Sequence, residues 1–177
     1  MKIQELISVA EEFYGNDEKA NRRDSPLWLV KTHANIALNN FDQIPEVAEY
    51  GLTEVEFLSI VMLEAFAYRI IQEGAFNPDE LNDVSSILID ALDSALIKIP
   101  RNTEKILYRN DDVNISDYAV GQQIEFNGFF TTSKDDFNNA SNIKWIITPL
   151  ASTITKAHEI YRVWNHGLEL SVPENQI

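Results

Sequence analysis

Residues 128–133 of the chain read Gly-Phe-Phe-Thr-Thr-Ser, so a glycine and two aromatic side chains lead into three consecutive hydroxyl side chains. Aromatic residues favour strands, and hydroxyl residues are common where strands end. Two further stretches end in or contain a charged residue within an apolar segment. Leu-Tyr-Arg precedes at residues 107–109, and Gly-Leu-Glu-Leu-Ser-Val-Pro follows at residues 167–173. We therefore expect strands in this half of the chain that present an arginine, a hydroxyl group and a glutamate near their ends.

The chain after Pro100 contains four short segments rich in Ile, Phe, Trp and Val, separated by clusters of Asn, Asp, Gly and Ser. This pattern predicts strands at residues 105–109, 123–132, 143–148 and 167–172. The conformation of residues 152–161 stays open, because their apolar spacing fits a short helix whereas a Thr-Ile-Thr sequence favours a strand.

The first hundred residues have the apolar spacing of helices. One predicted helix runs from Ile3 to Tyr14, and a second begins with Ser25 as its N-cap and Pro26 at its first position and ends near residues 39–40.

Two more helices are predicted before Pro100. Thr53 and Glu56 form a capping-box pattern ahead of the third helix, and Gly74 is placed as its C-terminal cap. Asn-Pro at residues 77–78 begins the fourth helix, whose apolar face continues until Pro100. The sequence thus predicts four helices in this half.

Helices followed by strands predict an α+β fold, in which an N-terminal helical lobe (residues 1–100) packs on a mostly antiparallel sheet in a β-rich half (residues 101–177). A chain of 177 residues with 45% apolar composition is long enough to bury one core, so we expect a single domain.

The chain is acidic, with 14 Lys and Arg against 28 Asp and Glu and a formal net charge of −14. Duplex nucleic acid would be repelled and is not expected as a partner. A dinucleotide is not excluded, since one or two local cations suffice for its diphosphate. The absence of cysteine excludes disulfides and thiolate chemistry, and the three histidines lack the spacing of a zinc helix, so no metal is expected.

No apolar run is long enough for a signal peptide or a membrane span. We expect a soluble protein in the cytoplasm of the producing cell or of a target cell that it reaches through a dedicated secretion system.

An arginine ending one strand, a hydroxyl triplet after a Gly-aromatic strand and a glutamate near a final strand, in this order, resemble the Arg-Ser-Glu class of mono-ADP-ribosyltransferases of bacterial toxins, effectors and phages. The resemblance implies a cleft for the co-substrate NAD between helical lobe and sheet. It also implies transfer of ADP-ribose from NAD to a protein side chain, with release of nicotinamide. In the helical half it extends only to the order of helices and strands.

By this resemblance Glu169 is the catalytic carboxylate, which would bond the 2′-hydroxyl of the nicotinamide ribose while positive charge develops on the sugar. Thr131 stands where the family has the first serine of Ser-Thr-Ser, and its hydroxyl would hold that carboxylate in place. Arg109, with Tyr108 beside it, would anchor the dinucleotide.

Three further residues complete the NAD site that the resemblance implies. Thr132 and Ser133 finish the hydroxyl triplet. Phe137 lies in the following loop, where the family places an aromatic ring over nicotinamide.

The resemblance places acceptor recognition before the catalytic glutamate, at Tyr161, Trp164 and Gly167. Members that modify arginine carry Glu or Gln two positions before that glutamate, whereas Gly167 offers no side chain, so an arginine acceptor is doubtful. Glu159 and Glu174 are alternative carboxylates.

Simpler structural interpretations stay open beside these roles. Arg109 would then be a solvated arginine paired with Asp111 or Asp112. Phe137 would pack into the core, and Tyr161 and Trp164 would pack against the sheet. Glu169 would face outward from a strand, as alternation between two leucines predicts.

Two alternative functions follow. Water in place of an acceptor would make the chain an NAD glycohydrolase. An acidic, non-enzymatic binding module that occupies a basic surface on a partner would need no turnover of NAD at all.

Overall fold

The computed structural model describes residues 1–65, 67–77, 79, 81–112, 118–125, 128–137 and 141–164. Over these residues the chain has an α+β fold with six α-helices and a two-stranded antiparallel sheet. Two compact units are present, a helical unit of residues 1–99 and 159–164 and a strand unit of residues 100–158. The boundary between them at Pro100 is the point where the sequence changes from the apolar spacing of helices to short segments that predict strands.

The helical unit contains all six α-helices of the described chain. No helix among the described residues is both long and apolar enough to cross a lipid bilayer. Short 3-10 helices lie at Phe41–Gln43 and Ile160–Arg162. The α-helices are α1 (Ile3–Tyr14), α2 (Pro26–Asn40), α3 (Pro45–Glu49), α4 (Glu54–Leu63), α5 (Tyr68–Phe76) and α6 (Asp83–Lys98).

Capping residues explain where α2 and α4 begin. Ser25 Oγ accepts a hydrogen bond from Trp28 N at 3.2 Å, and Pro26 occupies the first position of α2. At α4, Thr53 Oγ1 accepts from Glu56 N at 3.3 Å, and the Glu56 carboxylate accepts from Thr53 N at 2.6 Å. Both capping predictions are confirmed, as is the first predicted helix.

The predicted third helix is wrong in its extent. Helix α4 ends at Leu63, α5 begins at Tyr68, and Gly74 lies inside α5 instead of capping it. A Cβ atom at Gly74 would lie 2.9 Å from both Leu81 Cδ1 and Ser85 Cβ, so glycine lets α5 approach α6 closely. Apolar spacing in the sequence does not predict this close approach, because it indicates which face of a helix is buried and not how near the neighbouring helix lies.

The predicted start of the fourth helix is also wrong. Helix α6 begins after Asn82, whose Oδ1 accepts a hydrogen bond from Ser85 N at 3.0 Å, and not after Asn77. Its end at Lys98 agrees with the predicted stop at Pro100. The count of four helices is too low, since the third is divided and the five-residue α3 is too short to give a periodic signal.

Helix α4 is the centre of the helical unit. Every residue from Val55 to Leu63 is buried, and α1, α2, α5 and α6 pack around the helix. Glu56 is the charged member of this run, and its carboxylate accepts hydrogen bonds from Ser94 Oγ at 2.6 Å and Lys98 Nζ at 2.7 Å. Burial alone would raise the pKa of Glu56, but these bonds outweigh it and hold the pKa below its ordinary value.

The strand unit is built on β1 (Leu107–Asp111) and β2 (Ile143–Ile147), which pair antiparallel with Arg109 opposite Trp145. The strands predicted at residues 105–109 and 143–148 are confirmed within two residues. The described residues of the segment 123–132 are irregular, so that strand prediction is wrong there. In this segment the Thr131 carbonyl accepts a hydrogen bond from the Arg109 side chain. The predicted strand at residues 167–172 lies outside the described residues.

The segment left open at residues 152–161 is neither a continuous helix nor a strand. It contains a turn, a single bridge between His158 and Arg101, and the start of the 3-10 helix at Ile160–Arg162.

Candidate functional site

The structure brings the arginine motif and the hydroxyl motif together in the strand unit. Tyr108 N donates to Ser133 O at 2.8 Å, and Ser133 N donates to Tyr108 O at 2.7 Å. This pair of backbone hydrogen bonds fixes the hydroxyl stretch along the free side of β1. Arg109 and Thr131, separated by 22 positions in sequence, therefore lie side by side.

The Arg109 guanidinium is held by three neighbours. Its Nη1 donates to Thr131 O at 2.9 Å and to Thr131 Oγ1 at 3.3 Å, and its Nε donates to Asp111 Oδ2 at 2.7 Å. The Phe130 ring lies under the charge, with its centroid 4.5 Å from Cζ. The arginine side chain keeps 27% of its surface exposed, so it is ordered by these contacts and still reachable from solvent.

The ion pair with Asp111 agrees with the simpler interpretation of Arg109 drawn from the sequence. It does not exclude ligand binding, because a guanidinium has five N–H groups and these contacts use two of its three nitrogens.

The loop after the hydroxyl triplet is tied to both strands. Asn110 Nδ2 donates to Phe137 O at 2.8 Å, and Lys144 Nζ lies 2.7 Å from Asp136 Oδ1. Ser133 Oγ accepts from Asp135 N at 3.1 Å. The Phe137 side chain is 43% exposed and so is not packed into the core, which leaves its ring available beside Arg109's strand.

The sequence analysis does not select two aromatic residues of the strand unit, Trp145 on the sheet face of Arg109 and Tyr118 in contact with Trp145. Trp145 is the partner of Arg109 across the ladder, and the Tyr118 ring meets Trp145 edge to face at a centroid distance of 5.0 Å. The buried Trp145 Nε1 makes no hydrogen bond within the described chain. Alternation along residues 143–147 was the available signal, since it places this tryptophan on one face with two isoleucines.

Two of the three residues expected to recognise the acceptor, Tyr161 and Trp164, lie in the helical unit. Trp164 is 5% exposed, and its ring packs against Phe57 of α4 at a centroid distance of 5.7 Å. Tyr161 is half-buried, and Arg162 Cζ lies 5.8 Å from the centroid of its ring.

The three predicted positions 167, 169 and 174 lie outside the described residues, so the structure bears on neither Gly167 nor Glu169 nor the alternative Glu174. The other alternative carboxylate, Glu159, is 1% exposed and accepts a hydrogen bond from Arg162 Nε. That bond raises the pKa of Arg162. A carboxylate so enclosed and paired is poorly placed to meet a substrate.

His33 and a cavity of the helical unit lie outside the Arg109 site. His33 is buried in α2 with Nδ1 2.7 Å from Leu29 O, and burial lowers its pKa. The described residues contain no group of three or more His, Asp or Glu side chains arranged to hold a metal ion. A surface cavity of about 420 Å³ lies on the helical unit near Phe41 and Leu52, and none of the predicted site residues lines it.

Charge divides unevenly between the two units. Residues 1–99 contain 18 Asp and Glu against seven Lys and Arg, whereas residues 100–158 contain seven against six. The surroundings of Arg109 are therefore close to neutral, and the acidity of the chain belongs mainly to the helices.

No protein family, curated protein or solved structure matches this chain.

Proposed function

We propose that the chain is a mono-ADP-ribosyltransferase that binds NAD beside Arg109, breaks the bond between nicotinamide and ribose, and transfers ADP-ribose to a protein side chain. The proposal rests on the contact between the Arg109 guanidinium and Thr131, with distances of 2.9 Å and 3.3 Å, because it joins two of the three motifs of the resemblance. The role of Glu169, the third motif, rests on the resemblance alone.

The local charge supports binding of a dinucleotide at Arg109. The strand unit is near neutral, so a diphosphate approaching this guanidinium meets little of the repulsion that the net charge of −14 suggests. Planar N–H groups of arginine suit phosphate oxygens, and a partly exposed guanidinium loses less hydration on binding than a fully solvated one.

Thr131 has the hydrogen-bonding capacity that the mechanism needs. Its Oγ1 accepts from Arg109, so the hydroxyl hydrogen remains to be donated to another group. A carboxylate such as Glu169 would accept it and be held in one orientation. That carboxylate would stabilise the positive charge that develops on the ribose as nicotinamide leaves.

Incubation of the purified chain with NAD tests the proposal through the release of nicotinamide. We expect Arg109→Lys to reduce NAD binding, because lysine keeps the charge and loses the planar fork. Glu169→Gln should lower the release rate at least about a hundredfold while NAD still binds. Glu174→Gln is the matched control and should release nicotinamide at the wild-type rate.

A reversed result for the two glutamates would assign catalysis to Glu174, and nicotinamide release that is unaffected by either change would contradict the proposed chemistry. NAD labelled in its adenylate part separates transfer from hydrolysis. Label in an acceptor protein supports transfer, and label only in free ADP-ribose indicates the glycohydrolase.

A non-enzymatic function has one observation in its favour, the excess of 18 acidic over seven basic residues in residues 1–99. An acidic helical surface of this kind suits a basic partner, with binding that weakens as salt is added. Under this alternative, Glu169→Ala leaves partner binding intact and the chain releases no nicotinamide.

A further inference from the structure

The Arg109 side chain has one nitrogen left for a ligand. Nε is bonded to Asp111 at 2.7 Å, Nη1 is bonded to Thr131, and the Phe130 ring covers one face. Nη2 has no hydrogen-bond partner among the described residues. An anion that binds this guanidinium therefore approaches at Nη2. There it meets the Asp111 carboxylate, which already neutralises the charge of Arg109.

Asp111 is built into the strand next to the arginine that it neutralises. It stands two positions after Arg109 in β1, hence on the same face of the sheet, and its own ladder partner is the apolar Ile143. Its side chain is 20% exposed, against 27% for Arg109, so solvent screens the pair only in part. Within the described chain, Arg109 is the cation that Asp111 contacts.

We infer that Asp111 is a specificity-determining residue, which holds the guanidinium in place and selects a phosphodiester of low charge over a nucleotide with a terminal phosphate. The inference rests on the proposed binding of NAD at Arg109. A dinucleotide diphosphate is esterified at both ends and carries less negative charge than the diphosphate of ADP. Each added negative charge near Nη2 is repelled by the Asp111 carboxylate, so ADP is penalised more than NAD.

Asp111→Asn separates the two roles of this side chain. Asparagine keeps an oxygen that accepts from Arg109 Nε and removes the negative charge, whereas Asp111→Ala removes both. Asp136→Asn is the matched control, because Asp136 pairs with Lys144 in the same unit and its removal changes the net charge equally.

Titration calorimetry with NAD and with ADP tests the inference on the full chain. For Asp111→Asn we expect ADP to bind about tenfold more tightly, with a smaller gain for NAD and a steeper dependence on salt. Asp136→Asn should leave both affinities unchanged, and Asp111→Ala should gain less than Asp111→Asn because Arg109 loses its orientation. Unchanged or weaker ADP binding by Asp111→Asn, or an equal gain for NAD and ADP, would overturn the inference.

The outcome is separable from that of the proposed function. If Asp111→Asn binds ADP more tightly but the chain releases no nicotinamide from NAD, the proposed role of Asp111 in selectivity stands and the proposed transferase function is refuted. If the chain releases nicotinamide but Asp111→Asn shows no gain in ADP affinity, the proposed transferase function stands and the proposed role of Asp111 in selectivity is refuted.

Discussion

Gly74→Ala is expected to destabilise the helical unit by about 1–2 kcal/mol, although alanine is the better helix former. Alanine favours a helix interior over glycine by about 1 kcal/mol. The added Cβ would lie 2.9 Å from Leu81 Cδ1 and Ser85 Cβ, where carbon atoms in contact are about 3.5–4.0 Å apart. Leu81 is 43% exposed and can move aside, but Ser85 is 3% exposed and its Cβ is fixed to the α6 backbone. Displacing α6 should cost about 2–3 kcal/mol, which exceeds the gain.

Urea unfolding followed by far-ultraviolet circular dichroism measures this difference, with the slope compared to confirm an unchanged transition. Ser85→Gly supplies the control, because it removes the clashing Cβ. In that background Gly74→Ala should become neutral or stabilising, so the two changes are coupled by about 2 kcal/mol. An alanine at position 74 that raises the midpoint in the otherwise wild-type chain would refute the close approach of α5 to α6.

Three other changes test the helical core and the site. The lowered pKa of Glu56 contributes stability that is complete above the unfolded value of about 4.3 and is lost as the pH falls through the folded value. Glu56→Gln should therefore make the free energy of unfolding depend less on pH at acid pH, as measured by urea unfolding at a series of pH values. An unchanged dependence on pH would contradict a stabilising role of the Glu56 charge. Trp164→Ala removes the buried ring that packs against Phe57, so it should lower the free energy of unfolding by about 3–5 kcal/mol and lower the melting temperature. Unchanged stability with lost acceptor modification would instead favour a role of Trp164 in acceptor recognition. Thr131→Val keeps the shape of the side chain and removes the hydroxyl, so nicotinamide release should fall about tenfold or more while Thr131→Ser retains it; equal rates for both would exclude a role for the hydroxyl.

Local signals predicted those parts of the fold that depend on a few neighbouring residues. Ser25 and Thr53 cap their helices because a hydroxyl oxygen and an orphan backbone N–H lie within three positions of each other. Both strands are predicted by short apolar segments between polar residues, with Ile-Leu-Tyr at residues 106–108 and Ile-Lys-Trp-Ile-Ile at residues 143–147. The division of the third helix and the later start at Asn82 depend on packing between helices, which one-dimensional spacing does not contain.

The site was partly predictable from the resemblance, which does not depend on neighbouring residues. The order of the motifs led to Arg109 and Thr131, and the structure places them in contact. Trp145, opposite Arg109 in the ladder, and Tyr118, which contacts Trp145, come from other segments, and the strand register was needed to select them. The position of Trp164 before Glu169 predicts a role in acceptor recognition, and only the fold reveals that its ring belongs to the helical core.

The decisive measurement is the structure of the Glu169→Gln variant with bound NAD. We expect the diphosphate on Nη2 of Arg109 and the nicotinamide ribose beside the Thr131 hydroxyl. A dinucleotide bound elsewhere on the chain, with Arg109 still contacting only Asp111, Thr131 and Phe130, would contradict it.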